Sequence, residues 1–196
     1  MSRKNFKNAI ALTGGIATGK STVCSLLKLH GFLTIDADKI AHKLLDKHSL
    51  DIANMFGTEY VKEGKVLRKE LGKIIFSNEI EKKKLEAFIH PLIKEDIIKE
   101  AAIFEEANKP YLIDIPLFFE TMNYDIDKSL VVYTPSDLQC KRLMKRDNID
   151  EKEARLKMSN QMDIEMKKDL ADFCIDNSSS LKNLQKEVER VIGELI

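Results

Sequence analysis

The string Gly14-Gly15-Ile16-Ala17-Thr18-Gly19-Lys20-Ser21 constrains this chain more than any other segment. It fits the pattern GxxxxGK[ST]. The apolar run Ala9–Thr13 before it reads as a buried strand. After it, Val23, Leu26, Leu27 and Leu29 recur at helical spacing, and Gly31 closes the segment. A strand, a glycine loop and a helix in that order form a cradle for phosphate. Amides of the loop and of the helix start converge on anionic oxygens. Gly14 and Gly19 allow backbone angles and close approach that a side chain would forbid. Lys20 would neutralise the β- and γ-phosphates, and the Ser21 hydroxyl would ligate Mg²⁺. The motif therefore predicts nucleoside triphosphate binding. It does not name the phosphate acceptor.

The rest of the chain reads as strands alternating with helices. Further strands are expected at Phe32–Ile35, Tyr111–Ile115, Leu130–Tyr133 and Phe173–Ile175. Asp36-Ala37-Asp38 opens a helix with Ile40, Ala41, Leu44 and Leu45 on one face. Helical patterns also cover Ile74–Phe76, Leu85–Ile98 (with a bend expected at Pro91), Ser136–Arg146 with Leu138 and Leu143 inward, Glu151–Lys168, and Leu181–Leu195. This alternation predicts an α/β fold: a P-loop-type parallel sheet with helices on both faces. The strand gap from Ile35 to Tyr111 is too long for one crossover helix, which implies an inserted helical subdomain near residues 60–90.

Composition removes several alternatives. With 196 residues and 43% hydrophobic residues, the chain can fill one domain core. Lys+Arg and Asp+Glu balance at 32 each, so bulk attraction to nucleic acid is not expected. No apolar stretch approaches the roughly 20 residues of a membrane span. Met1–Asn8 is basic, but the apolar run Ala9–Leu12 is too short for a secretion signal. Cys24, Cys140 and Cys174 lie far apart with no zinc-type spacing. They read as buried thiols of a reducing compartment, and a cytoplasmic location is expected. The four dispersed His residues suggest no hydrolytic triad.

Other charged groups carry two readings each. Asp36 and Asp38 follow the second strand, at the edge where ligands of open α/β sheets collect. Either could cap the next helix or reach a substrate hydroxyl. Asp114 ends an apolar strand and is a weaker metal candidate. Arg142 and Arg146 share a helix face with Lys145 nearby, and Arg155 extends the basic edge. They are either phosphate ligands or a solvated face. Arg68 either holds a phosphate or starts a helix.

Taken together, these residues resemble one family. Leu12-Thr13-Gly14-Gly15-Ile16, Gly19-Lys20-Ser21-Thr22 and Ile35-Asp36-Ala37-Asp38 resemble the opening of dephospho-coenzyme A kinases. So do Phe56-Gly57, Leu67-Arg68, His90-Pro91, Ile115-Pro116-Leu117 with Phe119-Glu120, Gln139 with Arg142-Leu143, Arg146-Asp147, Gln161, and Ala171-Asp172 with Asn177. The resemblance runs from about residue 9 to 192. It implies a single kinase domain over 1–196. Residues 1–59, 109–139 and 170–196 would form the nucleotide core, 60–108 an inserted coenzyme-binding region and 140–169 a lid. The implied reaction moves the γ-phosphate of ATP, with Mg²⁺, to the 3′-hydroxyl of the ribose of dephospho-coenzyme A, giving coenzyme A and ADP. Carried over to this chain, Asp38 is the base, and Lys20, Arg142 and Arg146 act on the transferring phosphate. Gly14, Gly15, Ala17, Thr18, Gly19, Lys20, Ser21 and Thr22 hold ATP, Asn177 lies near the adenine, and Ser21 holds Mg²⁺. Asp36, Arg68 and His90 are acceptor-site candidates, with a structural role for His90 equally open. The implied partner is the small-molecule acceptor, with no nucleic acid and no membrane, and the chain is expected to be a monomer or weak oligomer.

One departure stands out. The family usually has Gly-Ser where this chain has Ala17-Thr18, so Ala17 must hold a negative φ or accept strain. Two rivals remain at this level. One is another small-metabolite kinase, such as a nucleoside monophosphate kinase. The other is a nucleotide-binding regulatory module. A GTPase of that second kind would carry Asn-Lys-x-Asp, and no such string occurs.

Overall fold

The computed structural model describes residues 5–121 and 124–196, so residues 1–4 of the basic start lie outside the described part. The chain packs as two compact units. One joins the residues up to Ile35 to Ala101–Ile196, and the other is Asp36–Glu100.

The first unit is built on a sheet. Among the described residues its strands are β1 (Ala9–Gly14), β2 (Thr34–Asp36), β5 (Tyr111–Asp114), β6 (Lys128–Tyr133) and β7 (Phe173–Asp176), in the order β2-β5-β1-β6-β7. β1 pairs in parallel with β5 on one side and β6 on the other, and β6 pairs in parallel with β7. The strand order reverses around β1, so the crevice beyond its carboxyl end is where an open α/β sheet binds ligands. All six residues of β1 are buried, as a strand covered on both faces requires.

Alternation along the strands assigns the two faces. Ile10, Leu12, Leu112, Leu130, Val132 and Ile175 pack with Val23 and Leu27 of α1 (Lys20–Leu29) and Leu184, Val188 and Val191 of α10 (Leu181–Leu195). Val131 and Tyr133 face the other way, against Ile164 of α9 (Ile164–Leu170). α6 (Phe118–Thr121), α7 (Ser136–Asp147) and α8 (Glu151–Met158) complete this unit, together with the last residues of α5 (Glu79–Glu106).

The second unit holds α2 (Ala37–Lys47), α3 (Ser49–Phe56), a short hairpin of β3 (Val61–Lys62) and β4 (Lys65–Val66), α4 (Arg68–Ser77) and most of α5. Its core is Ile52, Val66 and Leu71, with Leu45, Phe56, Leu85 and Phe88 packed around them. The Asp46 carboxylate accepts from Val66 N–H at 3.0 Å and from the Arg68 guanidinium at 3.1 Å. That bond ties α2 to the hairpin. The observed unit therefore begins at Asp36, whereas the sequence boundary was expected at residue 60.

Three local expectations need correction. Residues 61–66 form a hairpin and not helix. Its turn places Glu63 and Gly64 at φ 52° and 73°, and two-residue strands are too short to show a period. Glu151–Lys168 is not one helical stretch. α8 stops at Met158, and α9 starts after the Asp163 carboxylate accepts from Glu165 N–H at 2.8 Å. On α7, Gln139 and Cys140 are buried beside Leu143, and Leu138 is only half-buried. α5 runs on through Pro91.

α10 is tied to the sheet by Arg190. Its guanidinium donates to Cys174 C=O at 2.7 Å and pairs with Glu187 and Glu194 at 2.9 and 2.7 Å. The bonded Arg190 holds the Glu187 carboxyl below the ordinary glutamate range. A depressed carboxyl contributes stability above its unfolded pKa and loses it as pH falls through the folded value. Arg190→Ala should lower stability by about 1 kcal/mol at neutral pH, since the groups are part-exposed. The gap from the parent chain should narrow below the normal glutamate range. Thermal melts at several pH values would check this; a gap that widens on acidification would contradict it.

Candidate active site

The glycine loop joins β1 to α1 and is held at nearly every residue. Gly19 caps α1 at φ 86°, in the left-handed region that favours glycine. A Cβ on Gly19 would stand 2.2 Å from the Asn177 side-chain nitrogen, and one on Gly14 would stand 2.9 Å from Val132 C=O. Both glycines are thus required by shape. Ala17 sits at φ 60°, so of the two options open to it the chain takes the strained one. The Thr18 hydroxyl turns back onto Gly15 C=O at 2.9 Å.

Side chains from distant elements clamp this loop. Thr18 C=O accepts from Asn177 Nδ2 at 2.8 Å and from Thr134 Oγ1 at 3.1 Å. Ile16 N–H donates to Gln161 Oε1 at 2.7 Å. Gly14 C=O accepts from Lys167 Nζ at 3.1 Å. Gln139 Nε2 donates to Thr134 C=O at 2.7 Å, and its Oε1 would meet a Cβ on Gly15 at 2.5 Å. Gln139, Gln161 and Glu120 lie in the segments that carry the family resemblance, but the sequence attaches no role to them, and Thr134 and Lys167 carry no sequence signal of a clamp.

The predicted site residues fall in distinct places. The Lys20 ammonium pairs with the Asp114 carboxylate at the end of β5. Ser21 and Thr22 are exposed in the first turn of α1. Asn177 does not present a free amide to a base: its side chain is bonded to Thr18 and its C=O accepts from Arg142 at 2.9 Å. Arg142 also donates to Thr134 Oγ1 at 3.2 Å, so it braces the β6–α7 and β7–α10 turns. Arg146 is bonded to Asp147 at 2.7 Å and holds that carboxyl below its usual range. A cavity of about 260 Å³ opens beside the loop. Gly15, Ile16, Gln139, Gln161 and Asp163 line it, and the arginine it contains is Arg155. In the other unit, Asp36 caps α2 by accepting from Lys39 N–H at 2.9 Å, which gives it the capping role of the two considered. Asp38 is exposed in the first turn of α2. Arg68 is the first residue of α4, paired with Asp46, and His90 lies mid-way along α5.

Tyr133 donates to Glu165 at 2.6 Å, and that bond pushes its phenol up to about 12. It stays a neutral donor at any working pH and pins α9 to β6. The chemistry of the loop suits a triphosphate with Mg²⁺: a hydroxyl at Ser21 and a carboxylate at Asp114 are the oxygen donors this ion takes. No cluster of three or more metal-ligating side chains occurs among the described residues.

Comparison with known proteins settles which glycine-loop protein this is. The dephospho-CoA kinase family model matches residues 8–183. The chain belongs to the dephospho-CoA kinase family. A dephospho-CoA kinase of Helicobacter pylori is 48% identical over 194 residues, covering 97% of this chain and 99% of its own. One from Sulfurimonas denitrificans is 50% identical over 190 residues, covering 97% and 95%. A solved dephospho-CoA kinase from Campylobacter jejuni superposes with a TM-score of 0.69 at 39% identity, covering 96% and 97%. Membership makes the chain an ATP-dependent kinase, and the regulatory-module reading falls away. All three cysteines are free, with Cys24 and Cys140 buried.

Gly19→Ala should cost about 1–2 kcal/mol from its left-handed backbone alone. It should also weaken ATP binding at least tenfold, because Asn177 must leave Thr18 to admit the methyl group. Titration calorimetry with ATP and Mg²⁺ would measure this; unchanged affinity would contradict the loop geometry.

Proposed function

We propose that this chain transfers the γ-phosphate of ATP to the 3′-hydroxyl of the ribose of dephospho-coenzyme A, releasing ADP and coenzyme A. The observation that carries this reading is the clamped glycine loop at the centre of the sheet, in a chain that matches this family over residues 8–183. The amides of Ala17, Gly19, Lys20 and Ser21 bind the phosphates, while the Ile16 amide is held by Gln161. Lys20 exchanges its bond to Asp114 for the β- and γ-oxygens, where its charge offsets the negative charge that builds as the bond to the leaving oxygen lengthens. Ser21 would hold Mg²⁺, which would supply positive charge against the phosphate oxygens.

Asp38 accepts a hydrogen bond from the ribose hydroxyl and takes its proton late in the transfer, since the transition state is loose. Asp36 serves it indirectly by fixing the start of α2. The unit Asp36–Glu100, with Arg68 and His90, takes the acceptor. Residues 140–169 form the cover over the phosphates. Within that segment Arg155 is assigned to the transferring group because it lines the cavity beside the loop, and to reach the phosphate it leaves its exposed ion pairs with Glu151 and Asp137. The site of action is the cytoplasm. No helix among the described residues is long and apolar enough to cross a membrane.

Asp38→Asn should lower kcat by at least about a hundredfold, with the KM for ATP changed less than threefold. Lys20→Ala should remove nearly all transfer. A coupled ADP-release assay with dephospho-coenzyme A, beside a control lacking acceptor, reads both. Near-normal turnover of Asp38→Asn would remove the base role from that residue. A substrate panel that includes nucleoside monophosphates tests acceptor identity.

A further inference from the structure

The turn between α8 and α9, residues 159–163, touches the phosphate loop. Gln161 Oε1 accepts from Ile16 N–H at 2.7 Å across 145 residues of sequence. Ile16 directly precedes Ala17, the strained residue at φ 60°. Fixing the amide just before a strained residue narrows the conformations that residue can relax into.

The turn is itself anchored by a buried charge pair. Glu120 Oε1 accepts from Met162 N–H at 3.0 Å and pairs with Lys167 Nζ at 2.7 Å. Lys167 is 0% exposed, and it also donates to Gly14 C=O at 3.1 Å and Pro116 C=O at 3.2 Å. A buried ammonium with three oxygen partners has one stable position. One rigid assembly therefore grips the loop twice, at Gly14 through Lys167 and at Ile16 through Gln161. All of these residues lie in the same compact unit.

We propose that Gln161 is a positioning residue for phosphate binding. It holds the phosphate loop in its binding-competent shape, and the Glu120–Lys167 pair fixes the turn from which it acts. The inference rests on the nucleotide-binding reading above and adds to it a residue that does not touch the phosphates. It predicts that losing the Gln161 oxygen harms nucleotide binding and spares the acceptor site.

Gln161→Met keeps the side-chain length and removes the acceptor oxygen. Loss of one such bond should weaken ADP–Mg²⁺ binding by about threefold to tenfold. Affinity for dephospho-coenzyme A should stay within twofold, and the melting temperature without ligand should fall by no more than about 3 °C. Calorimetry with each ligand and a thermal melt give all three values. Unchanged ADP affinity overturns the proposal, and so does an equal loss for both ligands, which would mark a merely structural role. If the parent chain fails to bind ADP–Mg²⁺, it is the nucleotide reading that falls. Amide exchange in the parent chain provides a check independent of any variant. The Ile16 amide should exchange slowly without nucleotide, and an unprotected Ile16 amide overturns the proposal.

Discussion

The phosphate loop is held in shape by groups that are not part of it, and the rest of the site depends on that grip. A loop of small residues has many accessible conformations, and only one presents its amides to a triphosphate. Here the Gly14 and Thr18 carbonyls and the Ile16 amide are each bonded to a side chain from beyond residue 130. The entropy of ordering the loop is therefore lost on folding and not on binding. This also explains how Ala17 tolerates φ 60°, a conformation costing of order 1 kcal/mol or more, since the neighbouring bonds over-determine the backbone there.

The same grip ties catalysis to stability. Lys167 and Glu120 are charges removed from water, and removing one partner of such a pair typically costs about 3–5 kcal/mol. Their partners are the first residue of the loop, the turn after β5 and the turn before α9. Thr18, Thr134, Gln139 and Lys167, buried polar side chains of this unit, therefore lie around the loop, where shape matters for function, while the α1–α10 face of the sheet is packed with apolar side chains.

Much of this was legible in the sequence, for physical reasons that differ by residue. The glycine loop was readable because its function is local: amides, glycines, Lys20 and Ser21 are adjacent in the chain. The sheet strands were readable because buried strands are continuous apolar runs. Asp36 was readable as one of two roles, and the bond to Lys39 N–H identifies the cap. The clamps were not readable. Gln161 and Lys167 act across 145 and 153 residues, and no period or spacing encodes such a contact. Arg142 kept two readings for the opposite reason. A basic helix face looks the same whether it serves a phosphate or the protein, and here Arg142 donates to the Asn177 carbonyl and the Thr134 hydroxyl. The hairpin at residues 61–66 and the break at 159–163 escaped notice because each is shorter than the window a periodicity needs.

A spectrum of the backbone amides of this chain, recorded before and after adding ADP with Mg²⁺, tests the account most directly. The cradle predicts large shifts at Ala17, Gly19, Lys20 and Ser21, and only small ones along α4 and the middle of α10. Loop amides that stay in place while the nucleotide binds elsewhere would contradict it.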